Sequence, residues 1–177
     1  MKLDYVQALK RVVEARGAWI MHGQEPLLEQ NLLDAFRKSW QEQEVERQRY
    51  DISSANDWKN VFNALNSLSL FSQQLAIEVH GNVKPDANGI KQLKSYIQHN
   101  EHNLLLIVLP KQDSSSLKSA FFQVIEANGV VVPLTANYPQ DRQRILTIEA
   151  EKLGIQLNND AWQWLMQHHE HNLLAAK

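Results

Sequence analysis

Apolar residues recur along this chain at two spacings, and the two alternate. Leu28, Leu32, Phe36 and Trp40 fall on one helical stripe with Leu33 beside it. Trp58, Val61, Phe62 and Leu65 recur at i, i+3, i+4 and i+7, the pattern of a second amphipathic helix. Leu3, Val6, Leu9 and Val13 predict a short first helix closed by Gly17. Ile90, Leu93 and Ile97 mark another, ending near Asn100. Leu117, Phe121, Val124 and Ile125 mark one more, capped by Ser114 to Ser116 and closed by Asn128-Gly129.

Between these stripes lie runs of the other kind. Ala18 to Met21, Leu75 to Val79, Leu104 to Leu109 and Val130 to Pro133 read as buried strands, and Arg49 to Ile52 reads as an edge strand. The unbroken run Leu104-Leu105-Leu106-Ile107-Val108-Leu109 implies burial on both faces, as in a parallel sheet covered by helices. Strand and helix in alternation predict a three-layer α/β fold with a largely parallel, five-stranded sheet. Ser53, Ser54 and Asn56 offer capping groups for the Trp58 helix, and Gly81 to Gly89 reads as a turn-rich connection.

After Pro139 the texture becomes all-helical. Asp141 to Leu153 is one helix ended by Gly154. Asn158-Asn159-Asp160 caps a second with Trp162, Leu165 and Met166, and Asn172 to Ala176 begins a third. The expected boundary is Asn137 to Pro139, giving an α/β domain over 1–138 and a partial helical domain over 139–177, its last helix cut short at Lys177.

Composition narrows the classes. The 177 residues are 44% hydrophobic and 21% charged, which fits a folded domain with the start of another. A formal net charge of -2 with scattered Lys and Arg excludes a protein that coats polyanions and leaves local attraction to nucleic acid open. With no cysteine there is no disulfide scaffold, thiolate metal site or Cys nucleophile. Met1 to Gly17 has no unbroken apolar core, and no run approaches membrane-spanning length, so the expectation is a soluble cytoplasmic chain with no membrane partner.

The turn after the first strand sits where an α/β nucleotide-binding fold carries its phosphate loop. Such a loop needs several glycines and a Lys-Ser/Thr pair. Here it reads Gly23-Gln24-Glu25-Pro26, with one glycine, no lysine, a proline that removes an N–H, and an acid where phosphate would need a cation. The strong strand ends in Leu109-Pro110-Lys111, without the acidic residues that hold magnesium in a hydrolytic fold. His99 and His102, and His168, His169 and His171 near Glu170, are read as surface histidines rather than ligands. No Gly-x-Ser-x-Gly elbow occurs.

One feature escapes both periodicities. Leu70 and Phe71 stand side by side among serines, asparagine and glutamines, between the Trp58 helix and the Leu75 strand. On pattern alone they are either tucked into the core by one more helical turn or offered to a partner.

Three passages carry a family resemblance: Gly23-Gln24-Glu25-Pro26-Leu27-Leu28-Glu29-Gln30; Leu68-Ser69-Leu70-Phe71-Ser72; and Leu104 to Val108 followed by Glu170-His171-Asn172-Leu173-Leu174-Ala175. In order and spacing the chain resembles the N-terminal half of the delta subunits of bacterial DNA polymerase III clamp loaders. His171 departs from the glycine common there. The resemblance implies a AAA+-type fold that has given up ATP, with Gly23 to Pro26 as a degenerate phosphate-loop position, no cofactor, no metal and no catalysis of its own. It implies that Leu70 and Phe71, supported by Leu68, enter a pocket on the sliding clamp (the beta subunit) and favour its open form for loading onto primed DNA. Its other implied partners are the gamma/tau and delta prime loader subunits, with primed DNA met through the complex. The family's chain continues through a helical lid and a collar domain that this stretch lacks, so joining the loader is not expected of it. Two alternatives stand beside this reading: a P-loop-type nucleotide-hydrolysing domain and a direct DNA-binding module.

Overall fold

Pro26 opens the longest helix, α2 (Pro26–Glu42), where its missing N–H costs nothing. The predicted stripe Leu28, Leu32, Leu33, Phe36 and Trp40 is buried, packing on one face of a five-stranded sheet. The strands are β1 (Gly17–Gly23), β2 (Glu46–Ile52), β3 (Leu75–Gly81), β4 (Leu104–Pro110) and β5 (Val130–Leu134). Their order is β2-β3-β4-β1-β5 with every pairing parallel, so the Arg49 to Ile52 segment is indeed at an edge. The computed structural model describes residues 1–66, 74–99, 103–168 and 172–176; Leu68, Leu70 and Phe71 lie outside them, as do His102, His169, Glu170 and His171.

Side-chain alternation divides the core in two. Leu104, Leu106 and Val108 of β4 face α2 and α1 (Tyr5–Arg11). Leu105, Ile107 and Leu109 face α3 (Trp58–Asn66), α4 (Ala87–His99) and α6 (Ala120–Asn128). A central strand buried on both sides needs the apolar run seen there, because neither set of side chains meets water. Trp58, Val61, Phe62 and Leu65 of α3 are all buried, as their spacing predicts.

Three expectations are corrected. The buried residues of α1 are Tyr5 and Ala8, Val6 and Leu9 of the expected stripe are only half-buried against the same core, and Val13 is exposed. Leu3 precedes the helix and lies beside β5, its N–H bonded to the Val131 carbonyl, and the chain tightens into a 3-10 turn over Val12–Glu14 that rotates Val13 outward. The helix expected from Ser114 is two helices, α5 (Ser114–Leu117) and α6. Asp113, not a serine, caps α5, and the Ser119 hydroxyl and N–H both turn back to the Ser116 carbonyl, ending one helix before the next begins. Gly89 belongs to the first turn of α4 rather than to the connection. A Cβ there would lie 2.7 Å from the Pro85 side chain and 3.2 Å from Phe62, so α4 approaches α3 where only glycine fits.

The last segment forms α7 (Pro139–Lys152), α8 (Asn159–His168) and α9 (Leu173–Ala176). Ile145, Leu146 and Leu173 are buried against the α1–α2 side of the core. Gly154 closes α7 with a left-handed φ of 68°. Asn158 and Asn172 cap the two helices after it through their side-chain carbonyls.

Candidate functional site

The end of β1 and the end of β4 are brought together, since Gly23 pairs with Pro110 on one side and with Leu134 on the other. Gly23 is thus still inside the sheet. A Cβ on it would stand 2.2 Å from the Leu134 carbonyl oxygen, so the backbone of β5 already fills that space. Only Gln24 and Glu25 separate β1 from α2, too few residues to wrap converging N–H groups round a phosphate. Glu25 occupies the N-cap position without a side-chain cap bond. Burial raises its carboxyl above the ordinary value and the charge of Arg142 works against that rise. Arg142 itself is held by the Ala136 carbonyl at 3.0 Å. Beside the loop, His22 is buried edge-on against Phe122 at 5.5 Å, and burial, with Lys2, pushes its pKa down.

The residues flanking 67–73 are well anchored. Leu65, on the last turn of α3, is buried. On the far side the Gln74 carbonyl accepts from the Glu46 N–H at 3.2 Å, and the Leu75 N–H donates to the Asn103 side chain at 3.0 Å. Residues 67–73, which include Leu68, Leu70 and Phe71, thus follow the buried end of α3 in sequence and precede the hydrogen-bonded Gln74 and Leu75.

A charge cluster sits farther along the same strand. Glu78 has no exposed surface, yet it interrupts the apolar run Leu75-Ala76-Ile77 before Val79. Its carboxylate receives Arg37 of α2 through Nη2 at 2.7 Å and Nε at 3.3 Å, Arg47 of β2 at 2.9 Å, and the His80 ring at 2.6 Å. Burial alone would raise this carboxyl. The hydrogen bonds from His80 and Arg37 and the charges of Arg37 and Arg47 outweigh it and hold Glu78 well below the ordinary carboxylate range. Sequence reading missed the cluster; the single signal was an acid inside an apolar strand.

A second polar bridge joins α1, α2 and α7. The Asn31 amide donates to Tyr5 Oη at 3.2 Å and to Glu149 Oε1 at 3.0 Å, and Lys152 meets the same Glu149 oxygen at 2.7 Å. Asn31 and Glu149 are both buried, so the helical segment is tied to the sheet by a satisfied polar contact as well as by Ile145 and Leu146.

Of the histidines read as surface groups, the two described ones, His99 and His168, are engaged locally. His99 bonds the Ser95 carbonyl at 2.8 Å, and His168 bonds the Trp164 carbonyl while its ring stacks on that indole at 4.5 Å. Among the described residues no group of three His, Asp or Glu is placed to hold a metal ion, and no helix is long and apolar enough to cross a membrane.

Comparison with known proteins agrees with this architecture. The family described as DNA polymerase III, delta subunit, matches residues 19–135. The chain is 30% identical over 164 residues to DNA polymerase III subunit delta of Escherichia coli, an alignment covering 90% of this chain and 48% of that protein. The chain thus spans about half the length of the curated relative it matches. Among solved structures it is similar to the DNA clamp loader delta protein of Bacillus subtilis, with a TM-score of 0.71 at 10% identity, covering 97% of this chain and 54% of that one. It is also similar in fold to a RuvB mutant of Thermotoga maritima, with a TM-score of 0.53 at 12% identity over 96% of this chain and 56% of that one. Domain III of the replication initiator DnaA from the same organism gives a TM-score of 0.52 at 12% identity, over 97% of this chain and 78% of that one. The α/β body is of the AAA+ type.

Proposed function

The chain belongs to the DNA polymerase III delta-subunit family, and on that premise we propose that it binds the ring-shaped sliding clamp through Leu70 and Phe71, with Leu68 supporting them. The observation that carries this reading is the run Leu68-Ser69-Leu70-Phe71-Ser72, placed between two anchored elements and matching neither the helical stripe before it nor the strand after it. Burying a Leu and a Phe contributes about 1.5–3 kcal/mol each before association costs, enough for an anchor but not for a whole interface. Ring opening follows only if the open clamp is bound better than the closed one.

The role is mechanical rather than catalytic. Gly23 to Pro26 acts as a degenerate phosphate-loop position, supported by the two-residue connection, the crowded Gly23 and the carboxylate at the head of α2. Residues 1–138 serve as the clamp-binding α/β domain and 139–177 as part of a helical lid. In the longer proteins of the family, gamma/tau, delta prime and primed DNA are met through the assembled loader in the cytoplasm.

The test is a pull-down of purified sliding clamp by the chain and by its Leu70→Ala/Phe71→Ala variant. Capture should be lost in the variant while its circular dichroism spectrum stays that of the parent. Unchanged capture sinks the reading, and an unfolded variant places the pair in the core instead. Saturable ATP binding by calorimetry would favour the nucleotide-hydrolysing alternative.

A further inference from the structure

Glu25 holds the N-cap position of α2, yet its side chain makes no capping bond to that helix. The N-terminal end of a helix carries partial positive charge, so α2 favours an anion there. The carboxyl is half-buried, and burial works against its charge. A facing cation offsets that cost.

Arg142 supplies it. β1 and β5 run parallel with Gly23 paired to Leu134, so Glu25 and Ala136 each stand two residues beyond one register position and leave the sheet together at its C-terminal edge. Arg142, on the first turn of α7, donates through Nη1 to the Ala136 carbonyl at 3.0 Å, which brings its guanidinium to that same edge. Arg142 Nε is enclosed and has no hydrogen-bond partner among the described residues. A shielded cationic N–H without an acceptor relies on nearby negative charge, and Arg142 in turn favours the ionised form of Glu25.

The inward face of α7 continues from there. Arg142, Ile145, Leu146 and Glu149 fall at i, i+3, i+4 and i+7. Ile145 and Leu146 are buried, and Glu149 accepts from the Asn31 amide of α2 at 3.0 Å. A hydrogen bond therefore holds the far end of this face to α2, with the apolar pair between it and Arg142.

We propose that Glu25 is a built-in anion that latches the α7–α9 segment onto the α/β body through Arg142. The carboxylate at the head of α2 and the guanidinium at the head of α7 attract each other as charges rather than through a direct hydrogen bond. The latch sets the position of α7 at its N-terminal end, and Asn31 with Glu149 sets it two turns later. It gives the acid of the Gly23-Gln24-Glu25-Pro26 turn a role that does not depend on clamp binding.

The experiment follows amide hydrogen exchange of the whole chain, by region, in the parent, Glu25→Gln, Arg142→Gln and the double variant, at low and high salt. Each single variant should speed exchange in α7 roughly two- to fivefold at low salt, the effect of one partly exposed charge pair, and leave the sheet strands at the parent rate. The double variant should exchange no faster than Arg142→Gln alone, because the two substitutions remove one interaction. High salt should speed α7 in the parent and narrow its gap from Glu25→Gln, a reading that needs no variant to fold well. Parent-like exchange in Glu25→Gln overturns the latch. Additive effects in the double variant overturn it too, since each residue then acts through another partner. Acceleration spread equally over the sheet strands makes Glu25 a general stabiliser and likewise overturns the proposal.

Discussion

Arg37 and Glu78, 41 residues apart, meet through two hydrogen bonds, Nη2 to Oε1 at 2.7 Å and Nε to Oε2 at 3.3 Å. The two-pronged contact fixes α2 over the sheet near its β2 edge, and Arg47 holds the other strand of that edge to the same carboxylate. The anion is buried while both guanidinium groups keep some contact with water. That arrangement lowers the desolvation cost of the cations and leaves the carboxylate fully dependent on its partners.

Glu78→Gln should therefore destabilise the fold by about 1–3 kcal/mol near neutral pH, less than for a wholly buried pair because water can reach the arginines. The pH dependence has a definite sign. The Glu78 pKa is lower in the folded chain than in the unfolded one, so its contribution is complete above the ordinary carboxylate value. It drains away as pH falls below about 4 toward the folded value. Urea midpoints of the parent and Glu78→Gln should differ at about pH 7 and converge toward about pH 3. A constant gap across that range would show that the pair is not the source.

The Tyr5–Asn31–Glu149 bridge makes the opposite prediction at alkaline pH. Burial pushes the Tyr5 phenol up to about 12, the Asn31 hydrogen bond pulls it down, and the charge of Glu149 adds to the rise. The folded chain then holds a proton that the unfolded chain releases near about pH 10, so stability is complete below that value and falls as pH climbs toward about 12. Tyr96, also raised, steepens the same decline. Tyr5→Phe should reduce the slope of stability against pH above about 10, measured by denaturant midpoints. An unchanged slope would remove Tyr5 from the account.

Gly23→Ala tests the crowding at the end of β1. The new methyl would meet the Leu134 carbonyl at 2.2 Å and the Leu134 Cβ at 2.7 Å, backbone and near-backbone atoms that cannot swing aside. The strand end must shift, at a cost of about 1–3 kcal/mol. A lower thermal midpoint is expected, while a parent-like midpoint would mean that β5 gives way freely.

What could be read along the chain follows from the range of each interaction. The stripes of α2 and α3, the double-sided burial of β4 and the edge position of β2 were legible, because a helix or strand declares its buried side through neighbours within a few residues. The α1 stripe misled because Leu3 lies outside the helix and a 3-10 turn changes the period at Val12. Glu78 stood out only as an acid in an apolar strand, and nothing within a few residues identified Arg37 and Arg47 as its partners. Tyr96 counted as one more residue of a helix, with no sign that its hydroxyl would be buried unpaired.

By itself, then, the sequence determined the kind and order of the elements and the family, while the role proposed for the Leu70-Phe71 pair rests on sequence and kinship, the pair lying outside the described residues. Only the tertiary structure decided which side chains meet: Arg37 with Glu78, Asn31 with Glu149, Gly23 with Leu134. The reason is physical. Periodic burial is a local property written within a few residues, whereas strand order β2-β3-β4-β1-β5 arises from packing the whole chain at once, and polar partners follow that order.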